Sequence, residues 1–258
     1  MMILTEKGHT VRGSTAGSAS PQGQTRWDRF LYWSNRFFES DEFDTNERDY
    51  KLVVAERLLN AKRLFRENDP AWVDALGVAV TSKPNNLTNW RATQPFLAWC
   101  KTDPDQASLA MRFLWNADDP VHKRFDQFAQ VVWASGQRIP IAETSFFHMA
   151  MDPCAFPMHR ANAVERAMNL TGYPDPREAG IKTGEMGRRH EHFLRFLDIM
   201  MKRAGDAGIQ FRDRLDAQGV SWTVTQWEPV KYWPEADRQA FLEYQGHAAM
   251  RKDSWHSL

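Results

Sequence analysis

Long apolar runs are missing from this sequence. No stretch approaches the eighteen or so uncharged residues that a membrane-spanning helix needs, and the N-terminus has no apolar signal core. No membrane partner is expected. Cysteine is scarce: Cys100 and Cys154 stand far apart in apolar surroundings, which excludes a disulfide framework and points to a reducing, cytoplasmic compartment. Net charge is missing as well, because 33 Lys and Arg balance 33 Asp and Glu. Without a global field to attract nucleic acid or an acidic surface, any such contact has to come from a local patch.

The motifs of catalysis are missing too. There is no G-x-x-x-x-G-K-[ST] loop to cradle phosphates and no G-x-G-x-x-G. H-E-x-x-H, G-x-S-x-G and C-x-x-C are also absent. Asp49-Tyr50-Lys51 matches half of a nuclease motif. It opens an amphipathic helix, whereas that chemistry needs the acid and the lysine on a strand edge beside a second acid. His148, Asp152, Cys154 and His159 do not repeat a metal-ligand spacing. His190 and His192, two apart on a helix, point to opposite sides and read as surface residues of a basic face. The expectation is a protein that is not an enzyme, with no catalytic residue, no metal site and no cofactor.

What is present is helical periodicity. Residues 1–25, rich in Gly, Ser, Thr and Ala, read as a disordered leader. An aromatic helix face begins at Trp27 with Phe30, Leu31, Trp33, Phe37 and Phe38. Tyr50, Val54, Leu58, Ala61 and Phe65 then mark one stripe of a long helix. Asp69-Pro70, Asp103-Pro104 and Asp119-Pro120 each read as a helix start, the Asp capping free amides and the proline fixing the first turn. A further helix extends to about Gln218, with the β-branched stretch after it open between helix and strand. Pro234 starts the last helix, and a charged, frayed tail follows. The fold expected is mainly α, an irregular multi-helix domain of roughly nine to eleven helices over 26–258, with two halves hinged near 152–160.

Two stretches stand out. Segment 145–174 reads as a helix end, a proline-stiffened turn, a short helix begun by Asn162 and Glu165 as a capping box, and a stop at Gly172. The helix over 185–203 has an apolar face of Phe193, Phe196, Leu197, Met200 and Met201 and is rich in cations. Lys182, Arg188, Arg189, Arg195, Lys202 and Arg203 belong to this stretch, and Arg212 and Arg214 follow in the segment RDRLDAQ. These eight residues are the candidate nucleic-acid or partner-binding surface. Eleven tryptophans mostly fall on apolar stripes and read as core. Trp90 beside Arg91, and Trp222 and Trp227 near Arg212 and Arg214, are the places where aromatic and basic residues interleave as a stacking platform requires.

Three segments together resemble a known family. NLTNWRATQPFLAW (86–99), SFFHMAMDP followed by FPMHRANAVERAMNLTGYP (145–174), and RDRLDAQGVSW (212–222) are similar to the N-terminal, non-motor region of McrB-type AAA+ proteins of McrBC-like restriction systems. The resemblance implies a recognition or adaptor module of a bacterial anti-phage defence system, binding DNA, modified DNA included. A scaffold that docks an AAA+ motor or nuclease subunit without touching nucleic acid is the alternative. The family's Walker motifs have no counterpart here, so no catalytic residue carries over. Gly219 stands where a helix former is expected after RLDAQ.

Overall fold

The computed structural model describes residues 25–249. The expected leader, apart from Thr25, and the tail from residue 250 lie outside the described residues. Among these the fold is all-α and irregular, with eleven α-helices and no strand. They are α1 (Arg26–Phe38), α2 (Tyr50–Arg66), α3 (Trp72–Thr81), α4 (Trp90–Thr102), α5 (Pro104–Leu114), α6 (Val121–Ala134), α7 (Ile141–His148), α8 (Ala161–Thr171), α9 (Met186–Asp206), α10 (Arg214–Gln226) and α11 (Glu235–Gly246). A π-helical turn, Asp44–Asp49, leads into α2.

Local chemistry sets many of the ends. Thr25 and Asp28 form a reciprocal capping box at α1. Of the three Asp-Pro pairs only Asp103-Pro104 works as expected, with proline at the first helical position and the Asp103 carboxylate accepting from Gln106 N at 3.4 Å. At the other two the helix starts later. Asp69 accepts from Ala71 N (2.9 Å) in the turn before α3, and Asp119 accepts from Lys123 Nζ (2.5 Å) and Asn116 Nδ2 (2.8 Å). α8 begins at Ala161 without a side-chain cap, so Asn162 lies inside the helix and caps nothing. Glu165 instead lies 3.8 Å from Arg189 across the gap to α9.

The hydrophobic residues form two adjoining cores. One is built by α2 to α7, around Val54, Leu58, Leu76, Phe96, Met111, Phe128 and Phe147. The other is built by α1 and α8 to α11, around Phe30, Phe37, Phe193, Phe196, Val220 and Phe241. Burying each of these phenylalanines stabilises the fold by about 1.5–3 kcal/mol. The chain therefore passes from the second core to the first after α1 and returns after α7. The return is a tight turn in which Asp152 Oδ1 accepts from Cys154 N (2.8 Å) and Ala155 N (3.1 Å). Six of the ten tryptophans in 25–249 are buried: Trp27, Trp33, Trp72, Trp99, Trp115 and Trp233.

Two glycines are fixed by what touches them. At Gly187, in the first turn of α9, a Cβ would stand 2.1 Å from the His122 carbonyl oxygen, so glycine alone lets α9 lie against the start of α6. Gly172 closes α8 at φ +73°, a left-handed conformation that branched side chains resist, with Arg26 Cδ 3.1 Å from where a Cβ would be. Gly172→Val is expected to lower stability by about 1–3 kcal/mol, read from the midpoint of urea unfolding. An unchanged midpoint would contradict the left-handed cap.

Candidate interaction surface

α9 carries most of the candidate cations, and its two faces treat them differently. Phe193, Phe196, Leu197 and Met200 enter the second core. Arg188, Arg195 and Lys202, seven residues apart, share the exposed stripe, with side chains 53% and 71% exposed for the two arginines. By helical rise they are spaced about 10.5 Å apart. Arg189 lies off this stripe with its side chain only 12% exposed, turned toward Glu165. Burial pulls its guanidinium below the usual arginine value. Arg203 places its guanidinium 5.0 Å from the ring centre of Trp27. Lys182 is exposed in the loop before α9, where its amide donates to Glu185 Oε2 at 2.7 Å.

Acids interrupt the stripe. Arg188 pairs with Glu185 (2.8 Å) and Arg195 approaches Glu191 (3.7 Å), whose other oxygen meets His122 Nδ1 at 2.7 Å. Ile199, 36% exposed, lies between Arg195 and Lys202. These pairs sit at the surface, where each contributes about 0–1 kcal/mol and is readily exchanged for another anion.

Arg212 and Arg214 belong to a different arrangement, centred on the start of α10. Asp213 caps that helix, its Oδ1 accepting from Leu215 N (2.9 Å) and Asp216 N (3.2 Å). Asp216, one turn in, is fully buried and accepts from Arg48 Nη1 (2.8 Å), Arg212 Nε (2.6 Å) and Arg212 N (2.9 Å). Arg48 also forks onto both oxygens of Asp213, and Arg212 onto Asp44. Both guanidiniums are held above the ordinary arginine value by these carboxylates, Asp213 for Arg48 and Asp216 for Arg212 leading. Arg214 grips Asp198 with two bonds (2.6 and 2.7 Å) and donates to the Ala155 carbonyl at 2.8 Å. The structure thus brings Arg188, Arg195 and Lys202 together and holds Arg189, Arg212 and Arg214 in internal contacts.

α10 runs unbroken to Gln226, past Gln218 and through the β-branched stretch. Its surroundings override strand propensity: Val220, Thr223, Val224 and Thr225 are buried, and Thr225 Oγ1 donates back to the Ser221 carbonyl at 2.7 Å. Gly219 is the contact point rather than a flexible break, since a Cβ there would meet Phe43 Cζ at 2.9 Å. Beside it Lys51 is buried and donates to Glu47 (2.9 Å) and Gln218 Oε1 (2.7 Å). Desolvation pushes the Lys51 ammonium down and the Glu47 carboxyl up. Asp49 faces solvent, so Asp49 and Lys51 do not form a catalytic pair.

His190 and His192 are buried, which corrects the surface reading. α9 is covered on more than one side: His190 stacks on Phe125 of α6 (4.2 Å, 17°), and His192 Nε2 donates to the Pro174 carbonyl at 2.8 Å. His190 lies 5.8 Å from the ring of His148 and 6.0 Å from that of His159, which itself stacks on Phe193 (4.6 Å, 12°). Arg124 can only donate, so His148 Nε2, 3.3 Å from Arg124 Nη1, accepts and Nδ1 carries the proton. Neither nitrogen of His190, nor Nδ1 of His148 or His159, has a hydrogen-bond partner among the described residues. Burial pushes all three rings down, His190 to about 3 and the other two well below the usual value. Nearby Arg124, Lys62, Arg189 and Arg214 add positive charge. Among the described residues no group of three or more His, Cys, Asp and Glu is arranged to hold a metal ion.

The aromatic–basic pairs are self-contained. Trp90, half-exposed, holds the Arg91 guanidinium 5.3 Å from its ring centre. Trp222 is covered by Arg160 at 4.1 Å, not by Arg212 or Arg214. No signal marked Arg48, Asp213 and Asp216 beforehand except the Asp-x-x-Asp spacing at the helix start, because their partners are more than 160 positions away.

Fold and surface together define an all-α protein with a half-neutralised cationic stripe and a buried polar seam, and no described helix is long and apolar enough to cross a membrane. No family model, curated protein or solved structure matches the chain.

Proposed function

We propose that this chain is a non-catalytic recognition or adaptor module of a bacterial restriction-type anti-phage defence system, meeting the phosphate backbone of DNA with the exposed stripe of α9. The observation that carries the reading is the alignment of Arg188, Arg195 and Lys202 on one exposed face, flanked by Lys182 and Arg203. Their surface ion pairs are weak enough for phosphates to displace the carboxylates. The defence context rests on the resemblance of the three segments. The partner to the module would be an AAA+ motor or nuclease subunit.

A second reading, a protein scaffold that docks such a subunit without nucleic acid, is favoured by one observation. Glu185, Glu191 and Asp198 share the neighbourhood of the stripe and Ile199 breaks it, a mixture suited to a protein partner. Fluorescence anisotropy with duplexes containing unmodified or modified bases separates the two. DNA binding should weaken steeply with salt, and Arg188→Ala with Arg195→Ala and Lys202→Ala should lower the salt slope by about three and leave the fold unchanged. Absence of binding to every duplex at low salt would remove the DNA reading and leave the scaffold.

A further inference from the structure

A pocket of about 390 Å³ opens between the α2–α3 turn and α5, away from the α9 stripe. Its volume lies in the range of small-molecule sites. Phe65 and Trp72 form the apolar wall. They pack edge to face at 5.4 Å, and both lean on Trp115 (5.2 and 6.5 Å), which is anchored by its Nε1 donating to the Phe147 carbonyl at 2.9 Å. That wall is fixed before any ligand arrives. The polar wall comes from α5, where Asp105, Ser108 and Arg112 line the pocket at i, i+3 and i+7. Arg66, at the end of α2, lines it from the other side.

Neither Arg66 nor Arg112 has an ion-pair or hydrogen-bond partner among the described residues. This contrasts with Arg48, Arg212 and Arg214, which carboxylates of the chain already occupy. Two guanidiniums and a hydroxyl supply more donors, and more charge, than one carboxylate can accept. A terminal phosphate, with three oxygens and close to two negative charges, matches them. Asp105 would repel that phosphate, so it has to take the other end of the ligand, as acceptor for an N–H or O–H group. On α5 Asp105 and Arg112 are two turns apart, about 10 Å by helical rise, and that fixes the length of the ligand. The aromatic wall of Phe65 and Trp72 offers a ring surface against which a planar ring can pack.

We propose that this pocket binds a small phosphomonoester carried on a planar ring, the chemical class of a nucleoside monophosphate. The phosphate lies between Arg66 and Arg112, the ring against Phe65 and Trp72, and a donor group of the ring or sugar on Asp105. The site is independent of the α9 reading.

Isothermal titration calorimetry of the full chain with the four common nucleoside 5′-monophosphates, the matching nucleosides and inorganic phosphate tests it. At least one monophosphate is expected to bind with Kd under about 1 mM, with its nucleoside and inorganic phosphate each at least about tenfold weaker. Arg66→Ala and Arg112→Ala, at exposed positions, should each weaken binding about tenfold or more, with circular dichroism unchanged. Asp105→Asn should change the preference among bases. The α9 triple substitution should leave monophosphate binding as it was, so failure here and failure of the DNA reading are told apart. The proposal is overturned if no monophosphate binds at about 1 mM, if inorganic phosphate binds as well as the best nucleotide, or if the arginine substitutions have no effect.

Discussion

As pH falls below about 6.5 the protein is expected to lose stability. His148, His159 and His190 are buried and uncharged, and each has a folded pKa below its unfolded value near 6.5. Below that pH the unfolded chain binds protons that the folded one refuses, so stability is full above about 6.5 and falls as pH falls. A ring that stays neutral in the fold while its unfolded counterpart charges contributes up to about 1.4 kcal/mol per pH unit. His192, also pushed down by burial, adds to the effect. Glu47 and Glu143, whose carboxyls burial pushes up, oppose it, because they take protons more readily folded than unfolded.

Urea unfolding at a series of pH values measures this slope. His190→Phe is the informative variant. Phenylalanine keeps the stack on Phe125 and removes two nitrogens that have no partner among the described residues. The variant should unfold with a pH slope lower by about one proton and be the more stable protein at pH 5. If its slope equals that of the natural sequence, the buried imidazole does not control acid lability.

Asp216→Ala is expected to cost about 3–5 kcal/mol, the loss that follows when one side of a buried charge pair is removed. Asp216 is fully buried and faces two guanidiniums, so alanine leaves Arg48 and Arg212 crowded together with only Asp213 and Asp44 to offset them. The damage should reach beyond α10. Arg48 sits in the π-helical turn Asp44–Asp49, and hydrogen exchange should speed up there as well as in the first turn of α10. Asp216→Asn keeps the shape and some hydrogen bonds and should fall between the two. A cost for Asp216→Ala under about 1 kcal/mol, in urea unfolding, would show the carboxylate to be dispensable.

Much of the fold was legible because local rules act within a turn or two. The stripe Val54, Leu58, Ala61 of α2, the Asp103-Pro104 start of α5, the stop at Gly172 and the long apolar face of α9 all appear in the structure as periodicity and turn chemistry require. The misreadings share a cause. Asn162 and Glu165 had the spacing of a capping box, yet Glu165 turned to Arg189, a partner on another helix. Asp119 turned to Lys123 and Asn116. A side chain with two local uses goes where tertiary geometry offers more.

The candidate surface divides along the same line. By itself the sequence determined the all-α class, most helix positions and the clustering of cations around α9, because these depend on the period of 3.6 and on neighbours a few residues away. Only the tertiary structure decided that α1 joins the second core, that Arg188, Arg195 and Lys202 face outward, and that Arg212 and Arg214 clasp Asp44, Asp216 and Asp198. It also decided that His190 and His192 are buried and that Gly219 is a contact. Those outcomes depend on which helices cover which faces, and a helix pattern specifies an apolar stripe without naming the partner that will cover it.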